Sequence, residues 1–154
     1  MKNDFDGILF KLHDLGLAID ALKVREVVGG AVWREGHLND GAGSIESRGR
    51  VLPVIDLRQA FGFPSLEKSG MNSFIAVQTG EGAGSPLAAL WVDSLLDMVH
   101  VPALELREPM PAGELPAQYL QSAFDKDGNT IYVIRTETIV LDELAEAQLD
   151  KAAS

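Results

Sequence analysis

The sequence predicts a mainly β barrel carrying a single C-terminal helix. Two observations lead there. Short apolar or alternating runs recur along most of the chain, separated by Gly, Pro, Asn and Asp. A helical repeat appears only after Thr136, where Val140, Leu141 and Leu144 stand three or four residues apart. Strands first and one helix last is the pattern of a β core with a helical cover.

The elements follow in order. Ile8, Phe10 and Leu12 alternate with Leu9, Lys11 and His13, the signature of a half-buried strand. Gly16–Asp20 comes so soon afterwards that His13-Asp14-Leu15 reads as a hairpin turn. Val24–Val28 is a third strand, ended by Gly29-Gly30. Residues 34–47 are rich in Gly, Asn, Asp and Ser and read as loop. Val51–Ile55 is a strand. Pro53 lacks an amide to donate, which places it at a sheet edge or a bulge. Asp56 is positioned to cap the turn Leu57–Phe61, and Gly62 to end it in a left-handed conformation.

Ser73–Gln78 is a strand, and Gly80–Pro86 is a flexible connection. Leu87–Val92 and Leu95–Val101 flank a tight turn or bulge at Asp93-Ser94. Residues 102–116 contain Pro102, Pro109, Pro111 and Pro116 and read as a long loop. Asp125–Asn129 turns the chain into the strand Thr130–Ile134. The expected domain covers 5–146, and 147–154 is expected to fray.

A chain of 154 residues suits one domain, and at 16.6 kDa area scaling has it burying roughly 68% of its unfolded surface. No cysteine is present, which rules out disulfides, thiolate metal sites and cysteine nucleophiles. The net charge is −10, with only 13 Lys and Arg spread along the chain. Nucleic acid and anionic membrane surfaces are therefore disfavoured as partners. The acidic start Met1–Asp6 does not resemble a signal peptide, and the apolar run Pro86–Val92 is far short of the roughly 20 residues a membrane span needs. A cytoplasmic location without membrane insertion is the expectation.

Signatures of chemistry are weak. His13 and His37 fall in turns, and His100 faces out of a strand; none has a partner at metal-ligand spacing. Asp125–Asn129 has its Gly at the fourth position and Thr136 at the twelfth, so it cannot surround calcium as an EF-hand loop does. Gly80–Gly84 lacks the Lys-Ser or Lys-Thr of a phosphate loop, and no serine sits in a nucleophile elbow. Acidic residues are numerous enough that a carboxylate pair in a cleft stays open. A small acidic-site hydrolase or a small-molecule-binding β-barrel is thus the alternative reading. No cofactor is implied.

The segment Arg48-Gly49-Arg50-Val51-Leu52-Pro53-Val54-Ile55-Asp56-Leu57-Arg58 is the most specific in the chain. It places a cation and a glycine at the mouth of a strand that runs into a short helix. With Ala18-Ile19-Asp20 and Val24–Val28, Leu90–Val99, and Tyr119–Ile134, it resembles the CheW family of bacterial chemosensory adaptors from Phe10 to Leu144. The resemblance implies two intertwined five-stranded SH3-like barrels around one core with a C-terminal helix. It implies no active site. It implies binding to the regulatory domain of a CheA-type histidine kinase and to the cytoplasmic tip of methyl-accepting chemoreceptors, in an array of flagellar, pilus or second-messenger type.

The same resemblance puts Arg48, Gly49, Val24, Glu26, Phe74 and Leu95 at or near a receptor groove and Gly43 on the kinase-facing side. Read from the residues alone, Val24, Phe74 and Leu95 are equally core positions, and Glu26 and Arg48 equally solvated strand charges. The approach Trp33–Ile45 departs from the family by being polar, Gly-rich and free of proline. Glu46-Ser47 replaces the family's Asn-Leu before the arginine, which puts a carboxylate where it can hold Arg48 or compete for it.

Overall fold

The computed structural model describes residues 3–34, 42–78, 87–110, 113 and 115–153, with side chains described through residue 144. Strands β1 (Phe5–Leu12), β2 (Leu15–Asp20), β9 (Ser94–Val101), β10 (Leu120–Lys126) and β11 (Asn129–Ile134) form one 5-stranded sheet in the order β10-β11-β2-β1-β9. The middle of the chain forms a 6-stranded sheet, β3-β7-β8-β6-β5-β4. Its strands are β3 (Val24–Gly29), β4 (Val32–Arg34), β5 (Ser44–Ser47), β6 (Arg50–Asp56), β7 (Ser73–Gln78) and β8 (Leu87–Val92). Helix α1 (Leu57–Ala60) follows β6, and α2 (Thr136–Ala153) closes the chain, taking in most of the stretch expected to fray. The two barrel halves are intertwined because the first sheet draws its strands from both ends of the chain.

The second half carries one strand more than expected. β4 and β5 lie partly within the stretch read as loop, and β4 extends the sheet through the register Trp33↔Ile45. Their sequences are too short and polar to show alternation, but Ile45 is fully buried. Residues 35–41 and the connection Gly80–Pro86 lie outside the described residues.

Period-two alternation divides the core. Ile75 and Val77 of β7, with Leu90 and Val92 of β8, meet Phe10, Leu12, Leu17 and Ile19 of the first sheet in a shared core. Their neighbours Phe74, Ala76, Ala89 and Trp91 point the other way, into a second cluster with Ile45, Leu52 and Val54. Strands buried on both faces read as continuous apolar runs, which is why β7 and β8 are legible without alternation. Phe5, Leu9, Phe124, Ile131 and Val133 form the equivalent cluster of the first half. Ile139 and Val140 of α2 enter the shared core, whereas Leu141 is 64% exposed and stands off the buried face.

Pro53 has a ladder on one side only, so β6 is locally an edge there although the strand as a whole is interior to the sheet. β6 pairs antiparallel with β5 over Arg50–Pro53 and parallel with β8 from Val54 to Asp56. The missing amide therefore falls where the strand changes partners. Asp56 caps α1 through the Gln59 amide at 3.3 Å and also accepts the Ser65 hydroxyl. Gly62 is left-handed, φ +87°.

Asp93 marks the crossing from the second sheet to the first. Its carboxylate accepts the Arg58 Nε–H at 2.8 Å and the His13 amide at 3.0 Å. The β10–β11 hairpin turns on Asp127 and Gly128, both left-handed at φ 52° and 82°. Gly128→Ala is expected to cost about 1 kcal/mol from the backbone alone, since a Cβ there meets nothing within 4 Å. Urea denaturation checks this, and a cost near zero would show that the turn relaxes.

Candidate docking groove

Arg48 and Gly49 are the central residues of the turn joining β5 to β6, with Ser47 opposite Arg50. Both are left-handed, φ 53° and 77°, the geometry of a type I′ turn. A Cβ on Gly49 would touch nothing within 4 Å, so glycine serves the backbone angle there and not a close approach. The turn lifts Arg48 clear of the sheet: its side chain is 85% exposed, and its Nε lies 3.4 Å from Glu26 Oε2 on β3. An exposed pair of this length orients the guanidinium more than it stabilises the fold.

Glu46 does not hold Arg48. It pairs with Arg34 at 3.2 Å, because Glu46 sits opposite Val32 and reaches along β4. The carboxylate that does the holding comes from a strand remote in sequence.

Below Arg48 lies a shallow hollow of about 230 Å³. Leu52 of β6, Ala76 of β7 and Leu87 of β8 line its floor, and Arg25, Glu26, Arg48 and Arg50 its rim. A register shift between Val24 and Glu26 is what lets the adjacent Arg25 and Glu26 line the same hollow. Sequence reasoning missed Arg25, Arg50, Leu52, Ala76 and Leu87. For Arg50 the two-residue spacing from Arg48 across a tight turn was an available signal; for Arg25 the bulge hides it.

Of the predicted site residues, the structure brings Arg48 and Glu26 together over the hollow, with Gly49 in the turn beside them. Val24 and Leu95 are partly buried against the shared core, and neither lines the hollow. Phe74 is fully buried, stacked edge-on to Trp33 at 5.4 Å, and cannot touch a partner directly. Gly43 lies at the start of β5 with φ +104°, and its carbonyl accepts the Val54 amide at 2.9 Å. A Cβ there would come within 3.1 Å of Lys68 Nζ, and that ammonium lies 4.8 Å from the Trp33 ring centroid.

A larger hollow of about 550 Å³ near the N-terminus is bordered by Asp4, Asp6, Asp20 and Glu108. Three of these carboxylates have structural partners. Asp4 accepts the Ala103 amide at 2.9 Å, Asp6 holds His100 Nδ1 at 2.7 Å, and Asp20 caps the Leu22 amide at 2.9 Å. The two aspartates raise the His100 pKa, the hydrogen bond to Asp6 foremost. Among the described residues, no group of three or more His, Asp and Glu is placed to hold a metal ion. No helix among them is long and apolar enough to cross a membrane.

Paired barrel halves on a shared core, presenting a shallow groove with an apolar floor and a charged rim, define a protein-docking domain. The CheW-like domain family matches residues 6–143, and the chain belongs to that family. A domain of that family is a non-catalytic adaptor, so the hydrolase alternative is set aside. The chain is 25% identical over 153 residues to a probable chemotaxis protein CheW of Rhizobium etli, covering 95% of this chain and 94% of that one. Its fold is similar to the crystal structure of the scaffolding protein CheW of Thermoanaerobacter tengcongensis. That match has a TM-score of 0.72 and 23% identity over 90% of this chain and 92% of the other.

Proposed function

We propose that this protein couples a CheA-type histidine kinase, through that kinase's regulatory domain, to the cytoplasmic tips of chemoreceptors. It does so in the cytoplasm, as a non-catalytic element of a chemosensory array, and an accessory array governing pili or a second messenger is the finer form of the reading. The observation that carries it is Arg48, displayed by a left-handed turn over an apolar-floored groove and oriented by Glu26. A receptor tip is a helical hairpin, and a groove of this kind accepts the apolar face of a helix while an arginine clamps its polar edge. Gly43, across β5 from this turn, is assigned to the kinase-facing side.

Capture from a lysate of the source organism tests the proposal. Immobilised protein is expected to retain at least one CheA-type kinase or receptor signalling tip; retention of neither sinks it. Arg48→Ala is expected to weaken receptor binding by about 1–3 kcal/mol, the range for a lost charge-assisted contact, and to leave the kinase bound. Unchanged receptor affinity by titration calorimetry would remove Arg48 from the contact.

A further inference from the structure

We infer that the hollow between β3, β6, β7 and β8 selects a partner helix carrying two carboxylates on one face, and that Arg25 and Arg50 are the selecting residues. The inference rests on the docking role proposed above and names the chemistry of what docks.

The electrostatics point to an acidic occupant. The chain as a whole carries −10, yet at this hollow Arg25, Arg48 and Arg50 surround the single carboxylate of Glu26. Glu26 is already matched by Arg48 at 3.4 Å. Arg25 donates through Nη1 to Gln78 at 2.8 Å, a neutral acceptor that leaves its charge uncompensated. Arg50 has no ion pair among the described residues. Among the described residues, the rim therefore holds two guanidinium groups whose charge no neighbouring carboxylate answers.

Each guanidinium presents donors in a planar fork that fits one carboxylate bidentately. Two such forks call for two carboxylates. Residues three or four apart on a helix lie about 5–6 Å from one another on one face, so an acidic pair at that spacing with an apolar residue between matches a rim of two cations over an apolar floor. The volume of about 230 Å³ is below the roughly 300–1,000 Å³ of sites for drug-sized ligands. It suits side chains of a macromolecule. A nucleic acid would need a longer row of cations than this acidic chain offers. At physiological salt the Debye length is about 8 Å, so the negative charge elsewhere is screened while these local pairs act, setting specificity and association rate.

The test uses the full chain and a fluorescein-labelled helical peptide with Glu at positions i and i+4 and Leu between them. A counterpart has Gln in place of both Glu. By fluorescence anisotropy in 50 mM NaCl, the Glu peptide is expected to bind at least fivefold tighter than the Gln peptide, and 300 mM NaCl is expected to erase most of the difference. Arg25→Gln and Arg50→Gln are each expected to remove most of it too. Both side chains are exposed, and thermal melts confirm that the variants fold. Arg50→Glu is expected to prefer a peptide with Lys at the same two positions. Equal affinity for the Glu and Gln peptides, binding of neither, unchanged selectivity in the arginine variants, or tighter binding of a mixed-sequence oligonucleotide would each overturn the inference.

Receptor and kinase capture with the same variants separates this inference from the coupling role. Wild-type capture levels in both Arg→Gln variants, with no peptide selectivity, would defeat the inference alone. Peptide selectivity without capture of either partner by the wild type would defeat the coupling role and leave the carboxylate-selecting hollow standing.

Discussion

Replacing Phe74 by alanine is expected to lower the free energy of unfolding by about 3–5 kcal/mol, the cost of removing a buried aromatic ring and leaving a cavity. Phe74 is 0% exposed and packs between Trp33, at 5.4 Å between ring centroids, and Trp91, at 6.4 Å. A loss of that size is a large part of the roughly 5–15 kcal/mol that holds a domain of this kind together. Both tryptophans of the chain belong to this cluster, so fluorescence reports its collapse directly during urea unfolding. The experiment also decides what Phe74 is for. Phe74→Leu keeps most of the volume and is expected to cost less than about 1.5 kcal/mol while retaining receptor capture. Stable protein that no longer captures receptor would return Phe74 to the binding surface.

The second large effect is expected at Asp93, where Asp93→Asn should cost about 2–3 kcal/mol by leaving a largely buried arginine without its anion. The side chains of Arg58 and Asp93 are only 16% and 15% exposed. Burial pushes the Asp93 carboxyl up, but the hydrogen bond from Arg58, the His13 amide and the Arg58 charge together hold it below the usual carboxylate range. A carboxyl depressed in the folded state contributes stability that is complete above its unfolded pKa, about 3.9, and that is lost as pH falls through the folded value. The stability gap between wild type and Asp93→Asn should therefore stay constant from pH 7 to 5 and narrow below about pH 4. Urea midpoints at pH 7, 5 and 3 measure it. A gap unchanged at pH 3 would mean that the contribution does not come from the carboxylate charge.

Much of the fold was legible where local chemistry and tertiary role agree. β7 appears at the residues expected because both of its faces are buried, so every position from Phe74 to Val77 is apolar. The Asp56 cap and the left-handed Gly62 were readable because a side-chain acceptor and a missing Cβ act within one turn. β4 and β5 were not. β5 is held by a ladder to β6 and by the burial of Ile45, and β4 by its ladder to β5, none of which marks the local sequence. Pro53 was readable too: it has no amide to donate, and it falls where β6 has a ladder on one side only, just before the strand changes partners.

The groove divides in the same way. Arg48-Gly49 stood out at the mouth of a strand and, like Glu26, came with the family resemblance; that the pair forms a left-handed turn emerged only with the structure. Arg25 was hidden by the register shift beside it, and Phe74 passed for a groove residue because apolar residues look alike in sequence whether they face a partner or a core.

By itself, the sequence determined that this is a mainly β domain with a helical cover, where most of its strands start and stop, and that an arginine and a glycine stand at the mouth of one of them. Alternation, capping and turn chemistry act over a few residues, and those features need nothing more. Only the tertiary structure decided that Glu26 and not Glu46 orients Arg48, that Arg25 and Arg50 share its hollow, and that Phe74 lies beneath the surface. Each of those depends on which strands pair and in what register, and pairing is settled by packing between segments far apart in the chain.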